Sequence, residues 1–305
     1  MYMVDNWLNG KWKEGCHINI NKTRLVMQAV QGAISHPMAA RTPYRMDRQG
    51  KGRILPGTGG ISYNVRIGDP AFGWAGDHIE PGVSMKISDK NKSNDNYGLG
   101  LLACIGNKAK IISGEAQGTF GYVTGTHGGI DHVIIDFEPE VLEDLKIGDE
   151  ILIKAFGQGL ELLDYPEISV FNLDPNLLDK MNIKENDDFI EVGVTTEIPA
   201  HLMGSGIGSS SVALGDYDIT TGDEEEIKKL GIDKLKFGDF VYLKDSDNTY
   251  GREFKKGAGS IGVVVHSDCI KMGHGPGVTT VMTAKNNIIR PVIDKDANLI
   301  NYLYD

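Results

Sequence analysis

Four side chains in the C-terminal part of the sequence have the types and the spacing of metal ligands. Asp245 and Asp247 lie two residues apart in FVYLKDSD, and His266 and Asp268 do so in GVVVHSDCI. Side chains two residues apart on a strand point to the same face. If the two strands pair, these groups would form a mixed site for a divalent ion with an open position for water. We predict a metal site here, against the alternative of solvated turn residues and hydrogen-bonded histidines.

A histidine between two carboxylates has the surroundings of a general base or of a metal ligand. The turn GWAGDHIEPGVS places Asp77 and Glu80 beside His78, and neighbouring carboxylates fix the tautomer of an imidazole and raise its basicity. His274 is a second candidate, because the glycines of GHGPGVTT leave room for a ligand at the backbone. The predicted catalytic residues are therefore Asp77, His78 and His274. The alternative is an ordinary turn in which Asp77 accepts backbone hydrogen bonds.

Two glycine-rich turns could hold an anion or a developing oxyanion on their backbone N–H groups. The first contains Gly59 and Gly60, and the second contains Gly204 and Gly206 with His201 close by in sequence. We predict that these five residues bind substrate, against the alternative of a close crossing of two backbones. The segment VALGDYDITTGD that follows is not an apolar-periodic helix, so a dinucleotide site is excluded and no nucleotide cofactor is expected.

Strand periodicity argues against two further arrangements. In TGTHGGIDHVIID, Val133 and Ile135 form an apolar face, so His132 and Asp136 lie on the other face about 13 Å apart, too far to share an ion. Continuing the alternation past His266 places Cys269 on the opposite face, which disfavours a cysteine–histidine nucleophile pair.

The elements that carry these residues are predicted to be mainly β. Short apolar runs separated by glycine turns recur every 8 to 12 residues between 101 and 156, which is typical of a small antiparallel barrel or sandwich. Brief helical signals precede strands after Glu138, Asp174 and Asp223. The segments LKIGD (145–149) and LKFGD (235–239) repeat one strand-entry turn. The predicted fold is a multi-segment β-barrel or sandwich with short helices preceding strands.

The sequence predicts that the chain is organised in three consecutive parts. The polar run KISDKNKSNDNY reads as a loop and ends an N-terminal β segment with a basic arm at 1–97. A small barrel, similar to the KOW type in its glycine pattern, follows at 98–160. A mainly β C-terminal domain occupies 161–305.

Charge and composition exclude several classes of protein. The net charge of −11 disfavours binding to nucleic acid or anionic lipid. Residues 1–60 nevertheless carry nine basic and three acidic side chains, so this segment is predicted to dock on the acidic body, on another subunit of a homo-oligomer, or to receive an anionic substrate. Three cysteines without paired spacing, and no signal or membrane-length apolar run, indicate a cytoplasmic protein with no membrane partner.

Several motifs together resemble a known family. The stretches are PGTGGISYNVRIGD, GWAGDHIEPGVS, GEAQGTFGYVTGTHGGIDHVIIDF, IPAHLMGSGIG and GVVVHSDCIKMGHGPGVTTVMT. They are similar to the bacterial and archaeal family called domain of unknown function 4438, over roughly 25–290. The resemblance implies a mainly β, multi-segment fold containing a small barrel, and it implies no activity. The helix-then-Gly-Asp strand entries also give a distant architectural likeness to the acetamidase and formamidase family.

The functional hypothesis is a cytoplasmic enzyme that acts on a small polar metabolite by metal-assisted hydrolysis of an amide or other C–N bond. A divalent metal ion is the expected cofactor. The alternative is a non-catalytic protein that binds a small molecule or forms an oligomeric assembly.

Overall fold

The computed structural model describes residues 18–37, 44–89, 91 and 93–304. Its strands are β1 (Gln28–Ile34), β2 (Arg45–Met46), β3 (Gly52–Arg53), β4 (Ile61–Ser62), β5 (Gly82–Lys86), β6 (Lys108–Ile111), β7 (Phe120–His127), β8 (His132–Asp136), β9 (Glu150–Ala155), β10 (Ser169–Val170), β11 (Ile183–Glu185), β12 (Ile190–Val194), β13 (Thr196–Pro199), β14 (Tyr217–Asp218), β15 (Phe240–Asp247), β16 (Glu253–His266), β17 (Gly277–Ala284) and β18 (Ile289–Ile293). The helices are α1 (Ser93–Leu102), α2 (Pro139–Asp144), α3 (Pro175–Leu178), α4 (Glu224–Lys229) and α5 (Leu299–Leu303). Among these helices none is long and apolar enough to cross a membrane. The predicted mainly β class is confirmed.

Six antiparallel strands close into a barrel in the order β1-β9-β6-β7-β8-β5, and pairing of β5 with β1 completes the ring. The alternation in β6 and β9 explains its core. Ala109, Ile111, Ile151 and Ile153 are fully buried, whereas Lys110 between the first two is exposed and Leu152 between the last two is half-buried. β1 and β5 belong to the same barrel as β6–β9. The predicted boundary at residue 97 therefore falls inside one sheet, and the barrel is larger than the predicted segment 98–160.

The loop predicted before residue 98 is partly helical. α1 covers Ser93–Leu102 although its C-terminal half contains Gly98 and Gly100, which are poor helix formers. Tertiary packing stabilises it, because Leu99 is buried in the barrel core with Met85. A local pattern could not show this contact.

A second, open sheet has the order β10-β17-β16-β15-β13, with β14 also paired to β17. Successive residues of β15 are buried on opposite faces: Phe240 and Tyr242 lie in one apolar cluster, and Val241 and Leu243 lie in another. Burial on both sides explains why this strand is a continuous apolar run. Two smaller sheets complete the described fold, β11-β12-β18 and the hairpin β2–β3.

The repeated strand-entry turn has the same construction in both sheets. Asp149 and Asp239 each accept a hydrogen bond of 2.8 Å from the backbone N–H three residues earlier, at Lys146 and Lys236. Gly148 and Gly238 have φ of 94° and 84°, in the left-handed region that favours glycine. The motif is therefore a structural turn that leads into β9 and β15, as the sequence predicts.

The barrel packs directly on the second sheet. A Cβ on Gly125 of β7 would lie 2.1 Å from Val265 Cγ1 on β16, so only glycine permits this approach. The Thr279 hydroxyl donates to the Thr126 carbonyl across the same boundary, at 3.1 Å. This contact brings the end of β7 beside the end of β16, where the polar residues collect.

The basic N-terminal residues dock on the acidic body of the same chain. Lys22 pairs with Asp179, Arg24 with Glu161, Arg45 with Asp77 and Arg48 with Asp268. For these four residues the docking interpretation of the charge asymmetry therefore applies within the chain.

Candidate metal centre

His266 ends β16 and faces two carboxylates supplied by a different strand. Its Nε2 lies 2.8 Å from Asp216 Oδ2 and 3.5 Å from Asp218 Oδ1. Gly277 of β17 lies between them in the sheet, pairing with His266 on one side and with Asp218 on the other. A Cβ at residue 277 would lie 2.0 Å from Asp216 Oδ2 and 2.3 Å from His266 Nε2. The missing side chain at Gly277 thus creates the space in which these groups meet.

The barrel contributes His127, the last residue of β7. Its Nδ1 lies 2.5 Å from Glu80 Oε1, and His132, directly opposite on β8, bonds the same carboxylate through Nδ1 at 2.9 Å. The Gly59 N–H and the Ser84 hydroxyl also donate to Glu80. Glu80 is fully surrounded by donors, so it holds both imidazoles in fixed orientations.

His78 reaches the same place from the turn before β5. The N–H of Ile79 donates to the Ser267 hydroxyl and the N–H of Ser267 donates to the Ile79 carbonyl, so the turn is hydrogen-bonded beside the end of β16. His78 itself has a φ of 51°, a strained value for a residue with a side chain. Its Nδ1 lies 3.1 Å from Asp77 Oδ1, and Arg45 pairs with the other oxygen of that carboxylate.

The three imidazoles converge with the same nitrogen free. One ring nitrogen from each of His78, His127 and His266 lies within 4.8 Å of the others. In every case Nδ1 faces an acceptor, namely Asp77, Glu80 or the Ser267 carbonyl. Carboxylates and carbonyls only accept, so each Nδ1 carries a hydrogen and each Nε2 is the nitrogen left to bind an ion. This is the arrangement of metal-binding histidines with oriented outer partners.

Buried polar atoms without hydrogen-bond partners mark the centre of this group. They are His266 Nε2, Asp216 Oδ2 and Asp218 Oδ2. His266 Nε2 and Asp216 Oδ2 are 2.8 Å apart but are not in hydrogen-bond geometry. Ligands bound at about 2.0–2.1 Å to one tetrahedral ion lie about 3.3 Å apart, so such close, unbonded atoms fit two ligands of one ion. Unsatisfied buried polar groups are otherwise costly.

His274 and Cys269 line the less buried side. His274 Nδ1 lies 2.8 Å from Asp218 Oδ2 and 3.4 Å from His78 Nε2, and its side chain is 27% exposed, whereas that of His266 is fully buried. Arg48 donates to the carbonyls of both Cys269 and His274, at 2.8 and 3.0 Å. The guanidinium therefore fixes both ends of the loop that carries these residues.

Charge interactions within the centre shift several pKa values. Burial alone would raise the pKa of Asp77, but hydrogen bonds, His78's first among them, hold it well below its usual range. The Glu80 pKa is likewise lowered, because His127 and His132 outweigh the effect of burial. Burial, reinforced by the charge of His266, lowers the pKa of His78. These directions keep the carboxylates ionised and His78 neutral. Although burial lowers it, the Asp216 and Asp218 carboxylates raise the pKa of His266 well above its usual value, so His266 is charged in the metal-free chain and a bound ion would replace its proton.

The structure brings some of the predicted site residues together and separates others. Asp77, His78, His266 and His274 meet in this centre. Asp268 lies at its edge, where its Oδ1 accepts from the Thr221 hydroxyl at 2.6 Å. The other two predicted metal ligands, Asp245 and Asp247, are elsewhere. β15 and β16 do pair, as the prediction assumed, but Asp247 is opposite Glu253 at the other end of β16.

The predicted substrate-binding glycines have structural partners. The N–H of Gly204 donates to the Asp218 carbonyl at 2.7 Å, and that of Gly59 donates to Glu80 at 2.9 Å, so neither is free for an anion. Gly60 faces the Ser35 hydroxyl and Gly206 packs against Tyr217. These glycines position Asp218 and Glu80 rather than substrate. His201 is exposed on the surface, 3.7 Å from Glu226.

Sequence reasoning missed His127, Asp216 and Asp218 as ligand candidates. Asp-Tyr-Asp in a short strand gives the same alternating signal that singled out Asp245 and Asp247. Cys269 was placed on the face opposite His266, but β16 ends at His266, so the alternation does not extend to residue 269. One nitrogen of His78 and of His274 lies within 4.8 Å of the Cys269 sulfur.

Comparisons with known proteins agree with this architecture. No curated protein matches the sequence. The crystal structure of TM1086 is similar, with 49% sequence identity, a TM-score of 0.89, and coverage of 94% of this chain and 99% of that one. Two family models for domain of unknown function 4438 match the chain. The N-terminal model matches residues 44–179 and the C-terminal model matches residues 180–303. The chain therefore belongs to the family of domain of unknown function 4438.

Proposed function

We propose that the chain is a metal-dependent hydrolase whose divalent ion is held by His78, His127 and His266. The observation that carries this proposal is the convergence of three imidazoles, each with its Nδ1 fixed by an acceptor. Three histidines with a further open position are a ligand set of catalytic zinc sites. Asp216 Oδ2, 2.8 Å from His266 Nε2, supplies a fourth ligand, and a five-coordinate ion keeps a position for water. Nitrogen and carboxylate ligands suit zinc or a neighbouring transition metal rather than calcium or magnesium.

The residues around the ion support hydrolysis more than a structural role. Structural zinc sites are closed by four protein ligands, commonly cysteines, whereas this group has carboxylate oxygens to spare. Asp218 lies beside Asp216 and its second oxygen faces His274. A bound ion supplies polarisation of a carbonyl and a water of lowered pKa. His78, predicted from the sequence as a general base, is better placed as a ligand because only its Nε2 is free.

Substrate approaches from the side of His274. This is the most exposed histidine of the cluster, while His266 and His127 are closed in by the barrel and the second sheet. The proposed substrate is a small polar molecule, and the proposed reaction is cleavage of an amide or related C–N bond. A cytoplasmic location stays a prediction.

The decisive experiment is elemental analysis of the untagged protein purified without chelator, combined with a panel of small amides. We expect zinc, manganese or iron at near one ion or more per chain, and hydrolysis that chelation abolishes. His266→Ala should lose the ion while His201→Ala, which changes an exposed histidine outside the centre, retains it. Full metal occupancy in His266→Ala would overturn the assignment.

If the protein binds metal but hydrolyses no amide, the proposed metal site is supported and the proposed hydrolase activity is contradicted. The protein would then be non-catalytic, as in the alternative predicted from the sequence, which is a small-molecule-binding or oligomeric assembly protein. Thermal shift against a metabolite panel, with and without metal, measures that directly, because a ligand that binds the native state raises its stability.

A further inference from the structure

Asp218 faces two different groups of ligands with its two oxygens. Oδ1 lies 3.5 Å from His266 Nε2, within the group that holds the proposed ion. Oδ2 lies 2.8 Å from His274 Nδ1 and 3.9 Å from His78 Nε2, on the opposite side. Only 8% of the Asp218 side chain is exposed, and Oδ2 has no hydrogen-bond partner. A buried carboxylate oxygen aimed at two imidazole nitrogens calls for a cation between them.

The group on this second side has three potential ligands of its own. One atom from each of His78, Cys269 and His274 lies within 4.8 Å of the others. Cys269 is buried, at 2% exposure, and so is His78 at 8%. His78 also belongs to the first group, so the two groups share an edge formed by His78 and Asp218.

The loop that carries Cys269 and His274 is held in place before any ligand arrives. Arg48 donates to the carbonyls of both residues, and Thr221 and Asp268 complete the network around its guanidinium. Asp77 accepts from the N–H of Ile270 and so ties the loop to the turn of His78. Such preorganised ligands are what a metal site requires.

We propose that the centre holds two metal ions, with Asp218 as the bridging carboxylate and with Cys269 and His274 as ligands of the second ion. This inference rests on the proposed function in taking the first ion as bound by His78, His127 and His266, with Asp216 beside them. Thiolate and imidazole ligands select a borderline-soft ion of the zinc class for the second position. Paired ions about 3.5–4 Å apart are typical of hydrolytic two-metal centres.

The test is a titration of the metal-free full chain with Co²⁺, followed by optical absorption. Thiolate-bound Co²⁺ has an intense charge-transfer band that nitrogen and oxygen ligands do not give. We expect two ions per chain in the wild type, with the band. Cys269→Ala and His274→Ala should each lose one ion, and the band should be absent in Cys269→Ala. Cys104→Ala, which removes a buried thiol beside Asp174, should keep both.

Three results separate this inference from the proposed function. One ion per chain in the wild type, lost in His266→Ala, overturns the second position and leaves the first centre standing. Two ions in Cys269→Ala, or in Cys269→Ser if the alanine variant does not fold, overturn the ligand assignment. Two ions with the expected band, but no hydrolysis of any amide, would support the two-metal centre and overturn the proposed hydrolase activity.

Discussion

The two ends of β16 carry similar polar residues and differ in how those residues are satisfied. At the Glu253 end, Asp245 accepts from the N–H of Gly257 at 2.7 Å, and Asp247 accepts from the N–H and hydroxyl of Thr249 at 2.9 and 2.6 Å. At the His266 end, His266 Nε2 and one oxygen each of Asp216 and Asp218 are buried without partners. The first end has the chemistry of a turn and the second that of a ligand site.

The difference teaches that ligand types alone do not define a metal centre. Aspartates in hairpins commonly accept hydrogen bonds from their own backbone, and they then have no reason to bind an ion. At the other end the carboxylates are Asp218 of β14 and Asp216 just before it, and the histidine comes from β16, with Gly277 between the two strands. There His266 Nε2, Asp216 Oδ2 and Asp218 Oδ2 are buried without hydrogen-bond partners, and the proposed metal site rests on this imbalance.

Among the variants that test the contrast between the two ends of β16, Gly277→Ala should change metal affinity and stability the most. The added methyl group would overlap Asp216 Oδ2 and His266 Nε2, so both ligands must move. We expect metal affinity to fall at least about 100-fold, the upper end of outer-shell effects, because two ligands are displaced. Overpacking should also cost about 1–3 kcal/mol of unfolding free energy.

Isothermal titration of metal into the folded variant measures the first effect and thermal denaturation the second. Gly222→Ala is the control, because no atom lies within 4 Å of the added Cβ there. Unchanged metal affinity in Gly277→Ala would place the ion elsewhere.

Metal removal should have the next largest effect. An ion that binds the native state at 100 times its dissociation constant stabilises it by about 2.7 kcal/mol. At roughly 2–4 °C per kcal/mol for a large domain, chelation should lower Tm by about 5–10 °C. In His266→Ala, chelator should leave Tm unchanged. Equal shifts in both proteins would show that the stabilising ion is bound outside the centre.

Asp77→Asn tests the outer partners of the ligands. Asparagine can still accept from His78 Nδ1 through its carbonyl oxygen, but it lacks the charge that raises the basicity of that imidazole. Metal affinity should fall about 10–100-fold. Competition with a chromophoric chelator measures this change, and Asp247→Asn, a carboxylate at the other end of β16, is the matched control. A similar loss in both variants would mean that net charge, rather than His78, determines affinity.

The local structure could be predicted where the chemistry is local. Asp174 and Asp223 accept from backbone N–H groups of α3 and α4, as helix caps do. The turns at Asp149 and Asp239 follow from glycine and aspartate within five residues. Alternation within β6 and β9 predicts the barrel core, because period 2 requires no knowledge of distant contacts.

The site could be predicted only in part, because its residues come from four distant segments. Asp77, His78, His266 and His274 were found from their neighbours in sequence. His127 and Asp216 depend on the docking of the barrel against the second sheet, which no local pattern encodes. The register of β15 on β16 determines where the predicted ligand Asp247 lies. Its partner Glu253 is about 13 residues along β16 from His266, which is roughly 40 Å at the rise of a strand.

Asp247→Ala should have the smallest effect and gives the sharpest contrast between the two ends. Loss of the hydrogen bonds from Thr249 should lower the free energy of unfolding by about 1 kcal/mol. Metal content should not change, whereas Asp218→Ala should lose metal, since Asp218, unlike Asp247, has an unsatisfied buried oxygen. Elemental analysis and urea denaturation of the two variants measure both quantities. If Asp247→Ala lost its metal, the hairpin end of β16 would be the metal site after all, and the unsatisfied atoms around His266 would need another explanation, such as a buried histidine–aspartate ion pair.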